Sequence, residues 1–213
     1  MRFGPGPRIA VAALLRVCLV LPADGAIAAE TPTPPAAAAC RDCHGAGGEG
    51  NAAGGIPRLA GQSAGYLEQE LVDYSSGNRT NPIMQKFAKA LSERDRKTVS
   101  EYFASLATPY DVARSTANAA ELSRGRELAQ QGSEAKRVQA CDNCHGPDGA
   151  GVPHAAPFLA GQYSGYVASA LHSFLNGSRK NDPGQLMTSV VERLDDADIA
   201  AVADYFSSLA SND

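Results

Sequence analysis

Apolar positions recur with helical spacing in four stretches of the chain. Val99, Tyr102, Phe103 and Leu106 fall at i, i+3, i+4 and i+7, and Val202, Tyr205, Phe206 and Leu209 repeat that spacing. Earlier in each half, Tyr66, Leu67, Leu71 and Tyr74 form a stripe within 65–75, and Tyr166, Val167, Ala170, Leu171 and Phe174 form its counterpart. Start signals precede the two final helices: Ser92-x-x-Asp95 and Asp195-x-x-Asp198 resemble capping boxes with Asp in place of the usual Glu. No stretch shows the strict alternation of a half-buried strand. Gly-rich segments at 45–55 and 146–157 read as loops, and 108–118 reads as a linker. The pattern predicts an all-α chain.

The chain is also written twice. Cys40-Arg-Asp-Cys43-His44-Gly45 matches Cys141-Asp-Asn-Cys144-His145-Gly146, 101 residues on. Pro57-Arg-Leu-Ala-Gly-Gln62 matches Pro157-Phe-Leu-Ala-Gly-Gln162, Gly65-Tyr66 matches Gly165-Tyr166, Gly77-Asn-Arg79 matches Gly177-Ser-Arg179, and the two Tyr-Phe helices match each other. A period of about a hundred residues is a whole domain, so the repeat predicts two homologous domains, 29–107 and 119–213, rather than a solenoid.

Cys-x-x-Cys-His is the attachment pattern of a c-type haem. Two thiols add to the two porphyrin vinyl groups, two intervening residues set their separation, and the adjacent histidine supplies the proximal nitrogen. Cys40, Cys43, Cys141 and Cys144 are therefore candidate attachment residues, and His44 and His145 candidate iron ligands. Zinc ribbons place paired cysteine knuckles about 15–20 residues apart, and a disulfide or redox dithiol does not require a histidine after the second cysteine. Beyond the initiator, the chain has two methionines, Met84 and Met187, which lie 40 and 42 residues after His44 and His145 in segments that read as polar loops. Core-filling methionines would be scattered; one per copy, in register with the haem motif, points to axial ligation and to high-potential His/Met haems. His154 and His172 have no counterpart in the first copy and read as polar positions, with His154 a minor alternative ligand.

Composition adjusts this picture. Aromatic residues are only 6% of the 213 and Trp is absent, so two domains of this size have lean cores for a bulky apolar group to fill. A net charge of −4 argues against non-specific nucleic-acid binding. Arg2 and Arg8, an apolar run at 9–21 and Ala26-Ile27-Ala28 read as a signal peptide over 1–28, which predicts export to the periplasm. The run is shorter than the roughly 20 residues of a transmembrane span, so none is expected; peripheral membrane contact is left open. Cleavage removes Cys18, leaving four cysteines, and shifts the charge to −6. That charge is unequal: 40–107 balance at zero, whereas 108–213 hold eight basic and thirteen acidic residues.

Over about 36–210, the haem motifs, the Leu-Ala-Gly-Gln blocks, both methionines and the terminal Tyr-Phe helices resemble the cytochrome c4 family, dihaem proteins of two tandem class I cytochrome c domains. The resemblance implies two covalently bound haem c groups, one wrapped by each domain. It implies that the carbonyls of Pro57 and Pro157 accept the ring N–H of the proximal histidines. It also implies a carrier of single electrons rather than an enzyme, with a bc-type complex or a dehydrogenase as donor and a haem-copper oxidase as acceptor. The alternatives are a cytochrome subunit of a dehydrogenase complex, or a dihaem enzyme such as a peroxidase or thiosulfate dehydrogenase. There is one departure from the family. A class I domain begins with a helix before its haem motif, which 119–132 can supply, whereas the first copy has only Pro34-Pro35 and four alanines before Cys40.

Overall fold

Each apolar stripe lies on a helix in the structure, a computed structural model that describes residues 1, 4, 32–106, 117–153 and 155–209. The expected signal peptide, most of the expected linker and His154 fall outside the described residues. The described residues from 32 onward belong to one compact unit. The first copy runs through a 3-10 turn at Pro35–Ala37 into α1 (Ala38–His44), then α2 (Ala64–Ser76), α3 (Pro82–Ala90) and α4 (Glu93–Ser105). The second consists of α5 (Ala119–Gln130), α6 (Asp142–His145), α7 (Ser164–Leu175), α8 (Leu186–Val191) and α9 (Asp196–Ser208). Among the described residues, strand pairing is limited to isolated bridges.

The final helix of each copy is the centre of its core. Val99, Tyr102 and Phe103 of α4 are buried against Leu67 of α2, and Tyr205 and Phe206 of α9 against Ala129 of α5. The adjacent rings repeat as well, with centroids 5.1 Å apart for Tyr102–Phe103 and 5.4 Å for Tyr205–Phe206. Burying one such ring contributes about 1.5–3 kcal/mol. The start signals differ in detail. Asp195 and Asp198 cap α9 reciprocally, and the fully buried Asp198 also pairs with Arg124 and Lys136. At α4 only half of the box forms: Ser92 Oγ accepts from the Asp95 amide at 3.1 Å, while the Asp95 carboxylate turns to the Ser92 hydroxyl at 2.7 Å.

The expected difference between the copies is present. Helix α5 packs along α9, and the Tyr205 hydroxyl donates to Asp148 at 3.0 Å and accepts from Gln130 of α5 at 3.1 Å. Among the described residues the first copy has no such helix. The leader takes its place: Ala37 is fully buried against α2 and α4, and Thr33 Oγ1 lies 3.0 Å from the Tyr102 hydroxyl while accepting from Arg41 at 2.7 Å. A single turn and one hydroxyl thus meet the apolar and polar needs that a three-turn helix meets in the second copy.

The two copies clasp one another with approximate two-fold symmetry. Gln62 donates to the Phe158 carbonyl at 3.0 Å and accepts from the Phe158 amide at 3.0 Å; Gln162 does the same with Arg58, at 3.1 Å in both directions. The Thr80 amide donates to Ser178 O at 2.7 Å, and the Lys180 amide to Asn78 O at 2.6 Å, flanking an antiparallel bridge between Arg79 and Arg179.

Candidate haem sites

Cys40, Cys43 and His44 lie on α1. Cys141 stands at the N-cap of α6, which carries Cys144 and His145. Helical pitch places residues i and i+3 on one side, so one turn presents both sulfurs together, with the histidine next to the second. Cys43 and Cys144 are exposed, Cys40 and Cys141 half-buried, and none of the four is in a disulfide. Among the described residues no group of three or more His, Cys, Asp and Glu side chains gathers to hold a metal ion.

The imidazoles are held by the loops that follow. His44 Nδ1 lies 3.0 Å from Pro57 O, and His145 Nδ1 lies 3.0 Å from Pro157 O. A carbonyl only accepts, so each ring carries its proton on Nδ1 and keeps the Nε2 lone pair for a metal. Burial pushes both histidines below their ordinary value, outweighing the proline carbonyls that act the other way. Both rings are therefore neutral at neutral pH, as ligation requires. The carbonyls are in reach because the loop doubles back tightly. The His44 carbonyl accepts from the Gly50 amide at 2.7 Å, and Gly50 has φ +76°, where a Cβ would lie 2.6 Å from Ile56 O. Gly151 does the same beneath His145, at 2.6 Å and φ +75°. Only glycine suits such a position.

The methionines are not in loops, as their polar surroundings suggested. Met84 lies in the first turn of α3 and Met187 in the first turn of α8, both half-buried. Asn81-Pro82 is a helix-starting pair: Asn81 Oδ1 accepts from the amides of Ile83 (3.1 Å) and Met84 (3.0 Å), and the Pro82 ring fits the first helical position. In the second copy both Asp182 oxygens perform this role, accepting from Met187 N (2.9 Å) and Thr188 N (2.7 Å). Each methionine backbone is thus pinned by a side chain just upstream. Helix α3 packs on α2 and α8 on α7, which ties each methionine to the same core as its haem motif. His172 is apart from both motifs, half-exposed and 3.9 Å from Asp196.

This donor set fits haem c: in each copy two free thiols on one turn, an oriented neutral imidazole and a soft thioether on a second short helix. Two such copies in tandem define a dihaem c-type cytochrome, whose business is electron transfer. The cytochrome c family model matches the chain twice, over 35–107 and 123–210. The chain is 40% identical over 208 residues to a thiosulfate dehydrogenase electron acceptor from Stutzerimonas stutzeri, covering 97% of this chain and 96% of that protein. Reduced cytochrome c4 from Pseudomonas stutzeri superposes with a TM-score of 0.73 at 31% identity, over 81% of this chain and 94% of that one. A thiosulfate dehydrogenase from Marichromatium purpuratum superposes with a TM-score of 0.74 at 34% identity, over 81% of this chain but only 36% of that longer chain. The chain belongs to the cytochrome c family, as a dihaem protein of the cytochrome c4 type with two covalently bound haem c groups.

Arg79, Arg179, Gln62, Gln162 and Glu70 are buried residues of the contact between the copies that sequence reasoning left without a role. The arginines and glutamines marked the repeat. The available signal was that these polar side chains recur in both copies outside the haem motifs, in segments that the structure buries between the copies.

Covalent attachment has a direct check. If the expected signal peptide with Cys18 is removed, the protein carries two haems that survive acid-acetone extraction and has no titratable thiol. Replacing Cys43 and Cys144 together by Ser leaves each haem on at most one thioether. A parent protein with one covalent haem, or with reactive thiols and bound zinc, would show that a motif is used otherwise.

Proposed function

We propose that this protein is a periplasmic electron acceptor for a thiosulfate dehydrogenase, relaying electrons one at a time towards a terminal oxidase. The observation that carries this reading is the 40% identity to a thiosulfate dehydrogenase electron acceptor over nearly the full length of both chains. A unit of the same fold also makes up about a third of a thiosulfate dehydrogenase chain. The chemistry agrees with the number of sites. Joining two thiosulfate anions through a new S–S bond releases two electrons, and two one-electron sites accept both.

Haem c supplies reversible one-electron storage at iron. The chain's own residues make that storage selective. Cys40, Cys43, Cys141 and Cys144 fix the two groups covalently. Pro57 and Pro157 hold His44 and His145 in the ligating tautomer. Met84 and Met187 would complete the ligand set of each iron, which would keep oxygen, peroxide and substrate off the metal and make the protein a carrier. The onward step to an oxidase is what the resemblance to the cytochrome c4 family implies.

The test is reconstitution. The holoprotein is mixed with catalytic amounts of a thiosulfate dehydrogenase and excess thiosulfate, and the haem absorbance is followed. Two electrons are taken up per molecule, at a rate that depends on the dehydrogenase. If a reductant such as ascorbate reduces both haems while thiosulfate with dehydrogenase reduces neither, the donor is a different enzyme.

Salt dependence follows from the charge asymmetry. The second copy, with its acidic excess, attracts a basic partner over a screening length of about 30 Å at 0.01 M salt but only about 8 Å at 0.15 M. Reactions entering or leaving through the second copy with a basic partner slow across that range, whereas those through the neutral first copy change little. Equal salt dependence at both haems with every partner would remove the idea of separate entry and exit domains.

A further inference from the structure

Much of the clasp between the copies is paired; the Tyr163 hydroxyl, which donates to Glu49 O at 2.9 Å, and the carboxylates of Asp73 and Glu70 stand outside the pairing. Gln62 is answered by Gln162, and the Thr80 amide by that of Lys180. Arg79, which donates to the Tyr166 hydroxyl at 3.0 Å, is answered by Arg179, which donates to the Tyr66 hydroxyl at 3.1 Å. Glu70 has no such mate. One of its carboxylate oxygens accepts from Arg79 of its own copy at 2.5 Å; the other accepts from Arg179 of the opposite copy at 2.5 Å and from Asn181 at 3.0 Å. All three charged side chains are about nine-tenths buried. The position equivalent to Glu70 is Ala170.

The electrostatics make this single carboxylate decisive. The repeat places two guanidiniums beside one another at the bridge between the copies, away from water. Their other contacts include the tyrosine hydroxyls, the rings of Tyr74 and Phe174, and Asn181. The nearby buried carboxylate of Asp73 is occupied by the amides of Gln69, Asn78 and Asn181. Burial alone would raise Glu70, but Arg79 and Arg179 outweigh it and hold the group below the ordinary carboxylate value, so it is ionised at neutral pH. Two like charges in a dry interface repel unless an anion lies between them, and a buried pair that loses one partner leaves the other uncompensated.

We propose that Glu70 is the positioning residue that locks the two haem domains in one register through Arg79 and Arg179, and so sets the rate at which an electron passes from one copy to the other. This rests on the chain holding two redox sites and is independent of which enzyme donates to it.

The test uses the mature holoprotein with Glu70→Gln, Glu70→Ala and the double substitution Glu70→Ala/Ala170→Glu, which supplies the carboxylate from the opposite copy. Inter-haem electron transfer is timed after rapid one-electron photoreduction, and both midpoint potentials are titrated. Glu70→Gln keeps two covalent haems but slows inter-haem transfer by roughly tenfold or more, and both midpoints rise because an anion that stabilised the ferric state is gone. The double substitution returns the rate to within about twofold of the parent if the carboxylate acts through the symmetric arginine pair. If the rate and both midpoints are unchanged in Glu70→Gln and Glu70→Ala, Glu70 is not a positioning residue. Should Glu70→Ala fail to assemble, the double substitution decides: restored assembly and rate support the proposal, and failure to restore them overturns it.

Discussion

Histidine in place of Met84 lowers the midpoint potential of the first haem alone, and histidine in place of Met187 lowers that of the second alone. A thioether is a soft, weakly basic ligand that favours ferrous iron; imidazole is a stronger donor that favours ferric iron. Axial ligands govern a span of roughly 0.8 V in haem potential, and exchanging one sulfur for one nitrogen covers a substantial part of it. The separation of the effects follows from the fold. Met84 is pinned by Asn81 on a helix packed against α2, whereas Met187 is pinned by Asp182 on a helix packed against α7, and no backbone is shared between them. A potentiometric titration with spectra at each step reads both haems at once. The methionine–iron band in the near-red falls to half its intensity in either variant and vanishes in the double variant. If Met84→His left the spectrum and both midpoints unchanged, Met84 would be a packing residue and the first haem would take its sixth ligand elsewhere.

What could be read from the sequence was local or repeated. The Tyr-Phe helices declare themselves because Val99, Tyr102, Phe103 and Leu106 satisfy the helical period without outside help. Cys40, Cys43 and His44 declare themselves because their chemistry needs a fixed spacing within one turn. The methionines were singled out by register, but their helices were not legible: in α8 the apolar pattern is one and a half turns long and begins after a left-handed Gln185, so no period is visible. The substitute for the first copy's missing helix was equally hidden, because Ala37 and Thr33 act through contacts with α4 about 65 residues away, and nothing local marks an alanine as core. Glu70 was the hardest to read. Its role depends on Arg179, more than a hundred residues on, and it breaks the repeat that guided the rest of the reading. Counting charge by half also missed it: Glu70 enters the first copy's balance as a surface charge, although its carboxylate is spent inside the interface.

Alanine in place of Gly125 destabilises the second domain, and affects the first only through the contact between the copies. In an exposed helix this substitution would gain about 1 kcal/mol, since glycine has the greater backbone entropy to lose. Gly125 lies where α5 crosses α9. A Cβ there would press into the Ala201 carbonyl oxygen and sit 2.7 Å from the Tyr205 Cβ, both parts of a helix held by its own core. The backbone cannot yield as a flexible side chain would, so the helices must separate. Forced overpacking of this kind costs about 1–3 kcal/mol, and more where the backbone has to move. For a domain of about 100 residues that lowers its melting temperature by roughly 4–8 °C per kcal/mol. The consequence reaches the haem motif. Helix α5 contacts α6 and places the Leu128 carbonyl 3.8 Å from Cys141 Sγ, while Gln130 at its end holds Tyr205, so a displaced α5 disturbs the second haem's surroundings. Among the described residues the first copy has no helix at this place, so it serves as an internal control within the same molecule. Ser123→Ala, on the exposed face of α5, gives the control for propensity and is neutral or slightly stabilising. The measurement is thermal unfolding followed at the two haems, together with the second haem's midpoint. A Gly125→Ala protein as stable as the parent would mean that α5 and α9 can slide apart freely, and the close crossing would then not be what holds the second haem motif in place.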